Sequence, residues 1–246
     1  MKQRLDNLIG FTIGGTDGEI GKVKEFYFDD KSWTIRYIIV ETGSWLSGRK
    51  VLLSPQAVIK TDWEEKVFRV NLTMEQIKNS PHVDTDKPVS RQHERDLYGY
   101  YNWAGYYWGG GMGMGPYPIP MDQTIQKESD VPVDDTSDDD PHLRNTDKVT
   151  GYNIKATDGE IGDVEDFIIN DSNWQIDFML VDTGNWFPGK KVLIAPKMIK
   201  EIDWETSTVI VNATEDSVKN SPEYQPGEEL SESYEANLQN YYGRFI

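Results

Sequence analysis

Short runs of hydrophobic residues, broken by glycine and aspartate, set the pattern of the first hundred residues. The clearest run is TIRYIIVE at 34–41, which is β-branched and aromatic and has the length of a strand. On a regular strand, Ile35, Tyr37 and Ile39 would share one face. Three further runs predict strands of the same kind, at Lys22–Asp29, Lys50–Ser54 and Lys66–Leu72. Turn signals such as Asp17-Gly18 separate them, so the pattern predicts a small barrel or sandwich.

The same pattern occurs twice. A shift of 141 residues aligns Gly10–Tyr101 with Gly151–Tyr242 without a gap, and 37 of these 92 positions are identical. The strand run at 34–41 has its copy at Gln175–Asp182. The repeat therefore predicts two copies of one domain.

Helices are predicted near the end of each copy. Thr73 and Gln76 have the spacing of a capping box, and Pro81 ends the helix that would follow. Ser90–Tyr101 and its copy Ser231–Tyr242 each predict an amphipathic helix that ends in paired tyrosines. The predicted fold is thus mainly β, with two small β-barrels that are each followed by short helices.

The segment between the copies has a different composition. Residues 102–121 are rich in glycine and aromatic residues, and ESDVPVDDTSDDD at 128–140 is acidic and predicts a disordered tether. Three parts follow: a first domain at 1–101 (the first lobe), a linker at 102–148, and a second domain at 149–246 (the second lobe).

The hexapeptide TDGEIG at 16–21 returns unchanged at 157–162. It has too few carboxylates for a calcium loop, and the strand sequence after it does not suit a phosphate cradle. Asp-Gly is typical of a type I′ hairpin turn with two positive φ angles, so a structural corner is predicted. The residues assigned to this role are Asp17, Gly18, Gly21, Asp158, Gly159 and Gly162.

Composition narrows the function. The net charge is −17, which makes nucleic acid an unfavourable partner, and the chain has no cysteine. No signal peptide and no apolar run long enough to span a membrane are seen, so a cytoplasmic location is expected. The histidines His82, His93 and His142 share no spacing, and no catalytic motif occurs. We expect no enzyme activity, no metal and no cofactor.

Aromatic residues provide the candidate contacts with a partner. Trp45 and Trp186 occupy matching loops, and a cluster of aromatic residues begins the linker. Such side chains either cover a barrel or anchor a protein partner. For the linker cluster, attachment to a membrane surface and simple disorder are further interpretations. The aromatic linker residues in question are Trp103, Tyr106, Tyr107 and Trp108.

Four equivalent positions carry opposite charges in the two copies. One interpretation is drift after duplication, and the other is that the lobes, or two chains in a homodimer, dock through these faces. The four pairs are Lys22 with Asp163, Lys24 with Glu165, Arg36 with Asp177, and Lys60 with Glu201.

Several of these blocks together resemble tandem proteins of the PRC-barrel family. The resemblance rests on DGEIG, on TIRYIIVETGSWLSGRKVLLSP with its copy QIDFMLVDTGNWFPGKKVLIAP, and on the SRQHERDLYGYYNWAGYYWGG segment that begins at residue 90. The family includes the cytoplasmic domain of the photosynthetic reaction-centre H subunit and the C-terminal domain of the ribosome maturation factor RimM. It implies a bent β-barrel in each lobe and non-enzymatic docking onto larger assemblies.

Three functions are consistent with these observations. The first is a non-catalytic scaffold or adaptor that docks on protein partners. The second is a small-ligand or ion-binding module used in stress response. The third is a peripheral membrane protein or one associated with a photosynthetic reaction centre.

Overall fold

The computed structural model describes residues 1–81, 89, 91–103, 142–184, 190–225, 227 and 230–243. Within these residues the protein is mainly β. The strands of the first lobe are β1 (Lys2–Arg4), β2 (Thr12–Gly14), β3 (Glu19–Asp29), β4 (Thr34–Thr42), β5 (Lys50–Leu53), β6 (Val58–Asp62) and β7 (Val67–Val70). The later strands are β8 (Leu143–Asn145), β9 (Asn153–Lys155), β10 (Glu160–Asn170), β11 (Gln175–Asp182), β12 (Lys191–Ile194), β13 (Ile199–Asp203) and β14 (Thr208–Val211).

Helices are short except for one near the end of each copy. They are α1 (Met74–Lys78), α2 (Arg91–Tyr101), α3 (Thr146–Val149), α4 (Glu215–Lys219) and α5 (Glu232–Tyr242). The predicted capping box at Thr73 and Gln76 is present at the start of α1. Among the described residues, no helix has both the length and the apolar character needed to cross a membrane.

The described strands form one sheet of fourteen rather than two separate closed barrels. The main path runs β13-β14-β9-β10-β11-β4-β3-β2-β7-β6, and β1, β5, β8 and β12 pair with strands of this path. The path joins the two lobes where β11 meets β4, and it does not close on itself. One main hydrophobic core extends across both lobes, with Phe28 and Phe167 at 5.6 Å between ring centroids.

Strands β4 and β11 are joined by one bridge between equivalent residues. Thr34 of β4 lies opposite Gln175 of β11, and 34 and 175 differ by the repeat offset of 141. The Ile35 amide donates to the carbonyl of Trp174 at 2.8 Å, and the Ile176 amide donates to the carbonyl of Trp33 at 2.7 Å. Because each contact has its counterpart in the other lobe, an approximate two-fold axis passes through this bridge.

The lobes also exchange strands. β1, at the start of the first lobe, pairs with β10 of the second lobe, with Arg4 opposite Ile168. β8 comes directly before the second lobe and pairs with β3 of the first, with Asn145 opposite Tyr27. The two pairs are equivalent, because Arg4 and Asn145 differ by the repeat offset of 141, as do Tyr27 and Ile168. The segment 102–148 that was predicted as a linker therefore includes β8, which belongs to the sheet, and the start of the helix α3.

Strand β4 is buried on both faces, and its alternation is interrupted. Tyr37 pairs with Tyr27 while Ile35 pairs with Phe28, so Arg36 is an extra residue in a β-bulge. Ile35 consequently lies in the main core, whereas Tyr37 and Ile39 lie in a second cluster under α2. The prediction that all three share one face is wrong for this reason.

Candidate functional site

Two of the four charge-swapped positions are β-bulge residues in both lobes. Arg36 is the extra residue of β4, and Asp177 is its equivalent in β11. Lys24 and Glu165 occupy equivalent bulges in β3 and β10. Bulges change the direction of a side chain, so these residues are presented differently from their neighbours in the strand. The other two pairs, Lys22 with Asp163 and Lys60 with Glu201, are solvent-exposed.

In the first lobe, the bulge residue Arg36 forms a buried ion pair with α2. Its Nη2 lies 2.6 Å from Oε1 of Glu94, whose side chain is 1% exposed, and its Nη1 lies 3.6 Å from Oδ2 of Asp29. The hydroxyl of Tyr37 donates to the same Glu94 oxygen at 2.9 Å. Burial, together with the nearby Glu94 carboxylate, raises the pKa of the Tyr37 phenol. This arrangement ties α2 to the sheet.

In the second lobe, the carboxylates at the equivalent position are neutralised by a lysine of the first lobe. Asp177 replaces the arginine, and Glu235 of α5 is the equivalent of Glu94. The ammonium of Lys2, on the exchanged strand β1, lies 2.9 Å from Asp177 and 2.5 Å from Glu235. Burial alone would lower the pKa of Lys2, but the hydrogen bonds to Glu235 and Asp177 outweigh it and raise that pKa. The cation therefore comes from the first lobe's strand.

The exchanged strand β8 has no lysine at the corresponding position. Leu143 is the equivalent of Lys2, and it is buried in a cluster with Tyr27, Tyr37 and Leu97. Its neighbour Asn145 donates from Nδ2 to Glu25 at 2.5 Å. The first lobe therefore receives an apolar residue where the second lobe receives a cation.

A second cation on β1 adds to this difference between the two exchanged strands. Arg4 Nε lies 2.8 Å from Oδ2 of Asp166, and Arg4 Nη2 lies 3.3 Å from Oε1 of Glu165, which also contacts Lys191. Burial raises the pKa of the Asp166 carboxyl, although the hydrogen bond from Arg4 opposes this shift. Two acidic members of the charge-swapped pairs, Glu165 and Asp177, thus contact β1.

Two basic members of the swapped pairs make their observed ion pairs inside the first lobe. Lys24 lies 2.8 Å from Glu41, and Arg36 contacts Glu94 and Asp29. The lobes are joined instead through Lys2 and Arg4. Docking of the four basic residues onto their acidic equivalents between two chains stays a prediction.

The swapped residues Lys60 and Glu201 do not pair within the chain. Lys60 lies on β6 and Glu201 lies on β13, and these two strands are at opposite ends of the main path of the sheet. Glu201 borders a cleft of about 180 Å³, where its neighbours from the first lobe are Asp30 and Trp33 rather than Lys60. The inter-lobe pairing predicted for Glu201 is therefore not observed among the described residues.

The sequence did not identify Lys2, Glu94 or Leu143 as candidate residues. Lys2 and Leu143 precede the detectable repeat, which begins at Gly10 and Gly151, so sequence comparison gave no signal for them. For Glu94 the sequence did contain a signal, because a glutamate occupies the same helix position in both copies.

Among the candidate tryptophans, Trp45 is half-buried and packs against the main core. Its Nε1 donates to the carbonyl of Ile20 at 2.8 Å, so the side chain holds its loop against β3. Trp186 lies outside the described residues. The interpretation of Trp45 as a partner anchor stays a prediction.

Trp103 takes part in the end of α2. Asn102 has a left-handed φ of 54°, and the Trp103 amide donates to the carbonyl of Tyr98 at 3.1 Å, as in a Schellman motif. The Trp103 ring stacks on Tyr101 with centroids 4.3 Å apart. The next aromatic residue on this helix end, Tyr100, is 40% exposed. Tyr106, Tyr107 and Trp108 lie outside the described residues.

The repeated hexapeptide forms a corner, although its turn differs from the predicted type. β2 and β3 pair as a hairpin, but neither Asp17 nor Gly18 is among the described residues with positive φ, so the type I′ assignment is wrong. Oδ1 of Asp17 accepts from the first amide of α1, that of Met74, at 2.8 Å. Asp158 does the same for Glu215 of α4. The aspartate is thus positioned to cap a helix.

The glycines of the corner allow close contacts. A Cβ on Gly18 would lie 2.8 Å from Sδ of Met74, and one on Gly159 would lie 1.6 Å from Oε1 of Glu215. A Cβ on Gly21 would lie 2.2 Å from the carbonyl oxygen of Glu41, and one on Gly162 would lie 2.0 Å from that of Asp182. Both distances are shorter than a van der Waals contact allows. The Met74 and Glu215 side chains can move away from an added Cβ, so the steric requirement for glycine is strict at Gly21 and Gly162, where the neighbouring atoms are backbone.

A cleft of about 390 Å³ lies between the lobes beside the bridge. Its walls include Arg36, Ser54, Gln56 and Tyr98 from the first lobe and Asn173 from the second. Within the part of the chain that the structure describes, no group of three or more acidic or histidine side chains could hold a metal ion. The ligand-binding alternative stays a prediction.

Comparison with known proteins identifies one domain. A search of curated proteins found no significant match to this chain. The family model for the PRC-barrel domain matches residues 2–75, which run from β1 to the start of α1. The first lobe of this protein therefore contains a PRC-barrel domain.

Proposed function

We propose that this protein is a non-catalytic scaffold or adaptor that docks on a protein partner, and that each of its lobes is a PRC-type barrel. The second barrel is supported by the order of its elements. β9 to β14 follow one another as β2 to β7 do, and equivalent strands have the same pairings. The absence of cysteine supports a cytoplasmic location.

The observation that carries the adaptor function is the aromatic end of α2. Tyr100, Tyr101 and Trp103 form a connected group of rings, and Tyr100 is one of four large apolar residues that are exposed among those described. Tyrosine and tryptophan are enriched at the centres of protein interfaces. The glycine and aromatic segment at 102–121 begins within this group, since Trp103 belongs to both.

The shared sheet supplies a rigid support for such a surface. The Tyr100 hydroxyl donates to the carbonyl of Gln76 in α1 at 2.8 Å, which fixes the helix end against the lobe. Tyr241 makes the equivalent contact to Ser217 in the second lobe at 2.7 Å. The second lobe therefore offers a matched reference for this anchoring hydrogen bond.

Affinity capture from extracts of the native cells tests this proposal. The bait proteins are the full chain, Tyr100→Ala and Trp103→Ala, with Tyr241→Ala as the control that loses an equivalent hydrogen bond. We expect mass spectrometry to find a partner whose recovery falls about tenfold or more with the two test variants and is maintained with the control, since aromatic anchors dominate interface energies. Equal recovery with all four baits would contradict the proposal.

A further inference from the structure

The exchanged strands enter grooves of different chemistry. The groove of the second lobe presents four carboxylates to β1, those of Glu165, Asp166, Asp177 and Glu235. The groove of the first lobe surrounds Leu143 of β8 with apolar side chains, while its own Arg36 neutralises Glu94. Its carboxylates at Glu25 and Asp30 contact Asn145 and Arg144 of β8 instead. A residue on the strand and a bulge residue in the groove therefore differ together between the lobes.

We propose that these residues are specificity determinants that assign each exchanged strand to one lobe. Lys2 and Arg4 match β1 to the second lobe, and Leu143 matches β8 to the first. Within one chain, each groove then accepts its own exchanged strand and rejects the other. Between two chains, a first lobe rejects the β1 strand of another first lobe.

The wrong assignments carry identifiable penalties. With β1 in the first groove, Lys2 would take the place of Leu143 and its ammonium would be buried among Tyr27, Tyr37 and Leu97, which is costly without a counter-charge. Arg36 already occupies the glutamate there. Unpaired buried charge is an effective means of rejecting an incorrect partner.

The opposite error is equally unfavourable. With β8 in the second groove, Leu143 would take the place of Lys2, and Asp177 and Glu235 would lose the ammonium that both contact. Asn145 would replace Arg4 beside the buried Asp166. Two neighbouring carboxylates without their cation repel each other.

A double-mutant cycle in the full chain tests the assignment. The variants are Lys2→Leu, Asp177→Arg and the two combined, and the combination reproduces in the second lobe the leucine, arginine and glutamate of the first. We expect each single change to lower the urea midpoint and the combination to restore most of it. The coupling should be at least about tenfold in the unfolding equilibrium constant, as for residues in one charge network.

The control uses a charge-swapped position that is exposed and makes no observed contact with β1. Asp163→Arg combined with Lys2→Leu should give an additive effect. If either single variant does not fold, the combined variant is compared with it. A combined variant that refolds supports the proposal, and one that does not refold contradicts it. Additive effects of Lys2→Leu and Asp177→Arg, or single changes that leave the midpoint unaltered, would overturn the proposal.

Discussion

Alanine at Gly162 is expected to lower the free energy of unfolding by about 3 kcal/mol or more, at the upper end of what overpacking costs. An added Cβ would lie 2.0 Å from the carbonyl oxygen of Asp182, and that oxygen is backbone within a paired strand. The φ of +153° at Gly162 adds strain for any other residue. Urea unfolding followed by circular dichroism measures the loss.

The same change in the first lobe separates the two causes. At Gly21 an added Cβ would lie 2.2 Å from the carbonyl oxygen of Glu41, but the φ is not positive, so Gly21→Ala should show the steric cost alone. Gly99→Ala is the control, because no atom lies within 4 Å of its Cβ position in α2. That variant should be neutral or up to about 1 kcal/mol more stable. A loss at Gly162 no larger than at Gly99 would refute the close approach.

The second large effect is expected at the buried ion pair beneath α2. Glu94→Ala removes the carboxylate that Arg36 and Tyr37 both contact. Of the acidic partners observed for the buried Arg36 guanidinium, only Asp29 then remains. Breaking a buried pair by removing one partner costs about 3–5 kcal/mol, because the remaining charge is poorly compensated. Thermal and urea unfolding of the full chain would measure this loss.

Glu235→Ala is the matched control in the second lobe. Its side chain is 19% exposed and its partner Lys2 is 20% exposed, so water can solvate the lysine after the change. We expect a cost of about 1 kcal/mol, near that of a surface pair. Equal losses for Glu94→Ala and Glu235→Ala would contradict the different burial of the two sites.

Much of the fold could be predicted because its signals are local. The strand runs, the capping box at Thr73 and the helix before Tyr101 follow from residue type and spacing over a few positions. The bulge at Arg36 could not be predicted in this way. It depends on the register between β3 and β4, and a one-residue shift places neighbouring side chains on opposite faces.

The strand exchange and the site it creates could not be predicted from the sequence either. β1 and β8 are three residues long, and their pairing partners lie more than one hundred residues away in the chain. Residues 2–4 and 143–145 share no identity, so the repeat gave no sign that they are equivalent. The opposite charges at Lys24/Glu165 and Arg36/Asp177 were visible, but their meaning depends on Lys2, Arg4 and Leu143.

The central claim is that the two lobes form one sheet by pairing at Thr34 and Gln175. The backbone hydrogen bonds of Ile35 and Ile176 flank this pair, so it is of the non-hydrogen-bonded type, whose Cα atoms are about 4.5 Å apart and within reach of a disulfide. The chain has no cysteine, which gives a clean background. In Thr34→Cys/Gln175→Cys we predict a disulfide within one chain after mild oxidation, detected by peptide mass spectrometry. Thiols that stay reduced, or cross-links only between chains as in either single-cysteine variant, would contradict the account.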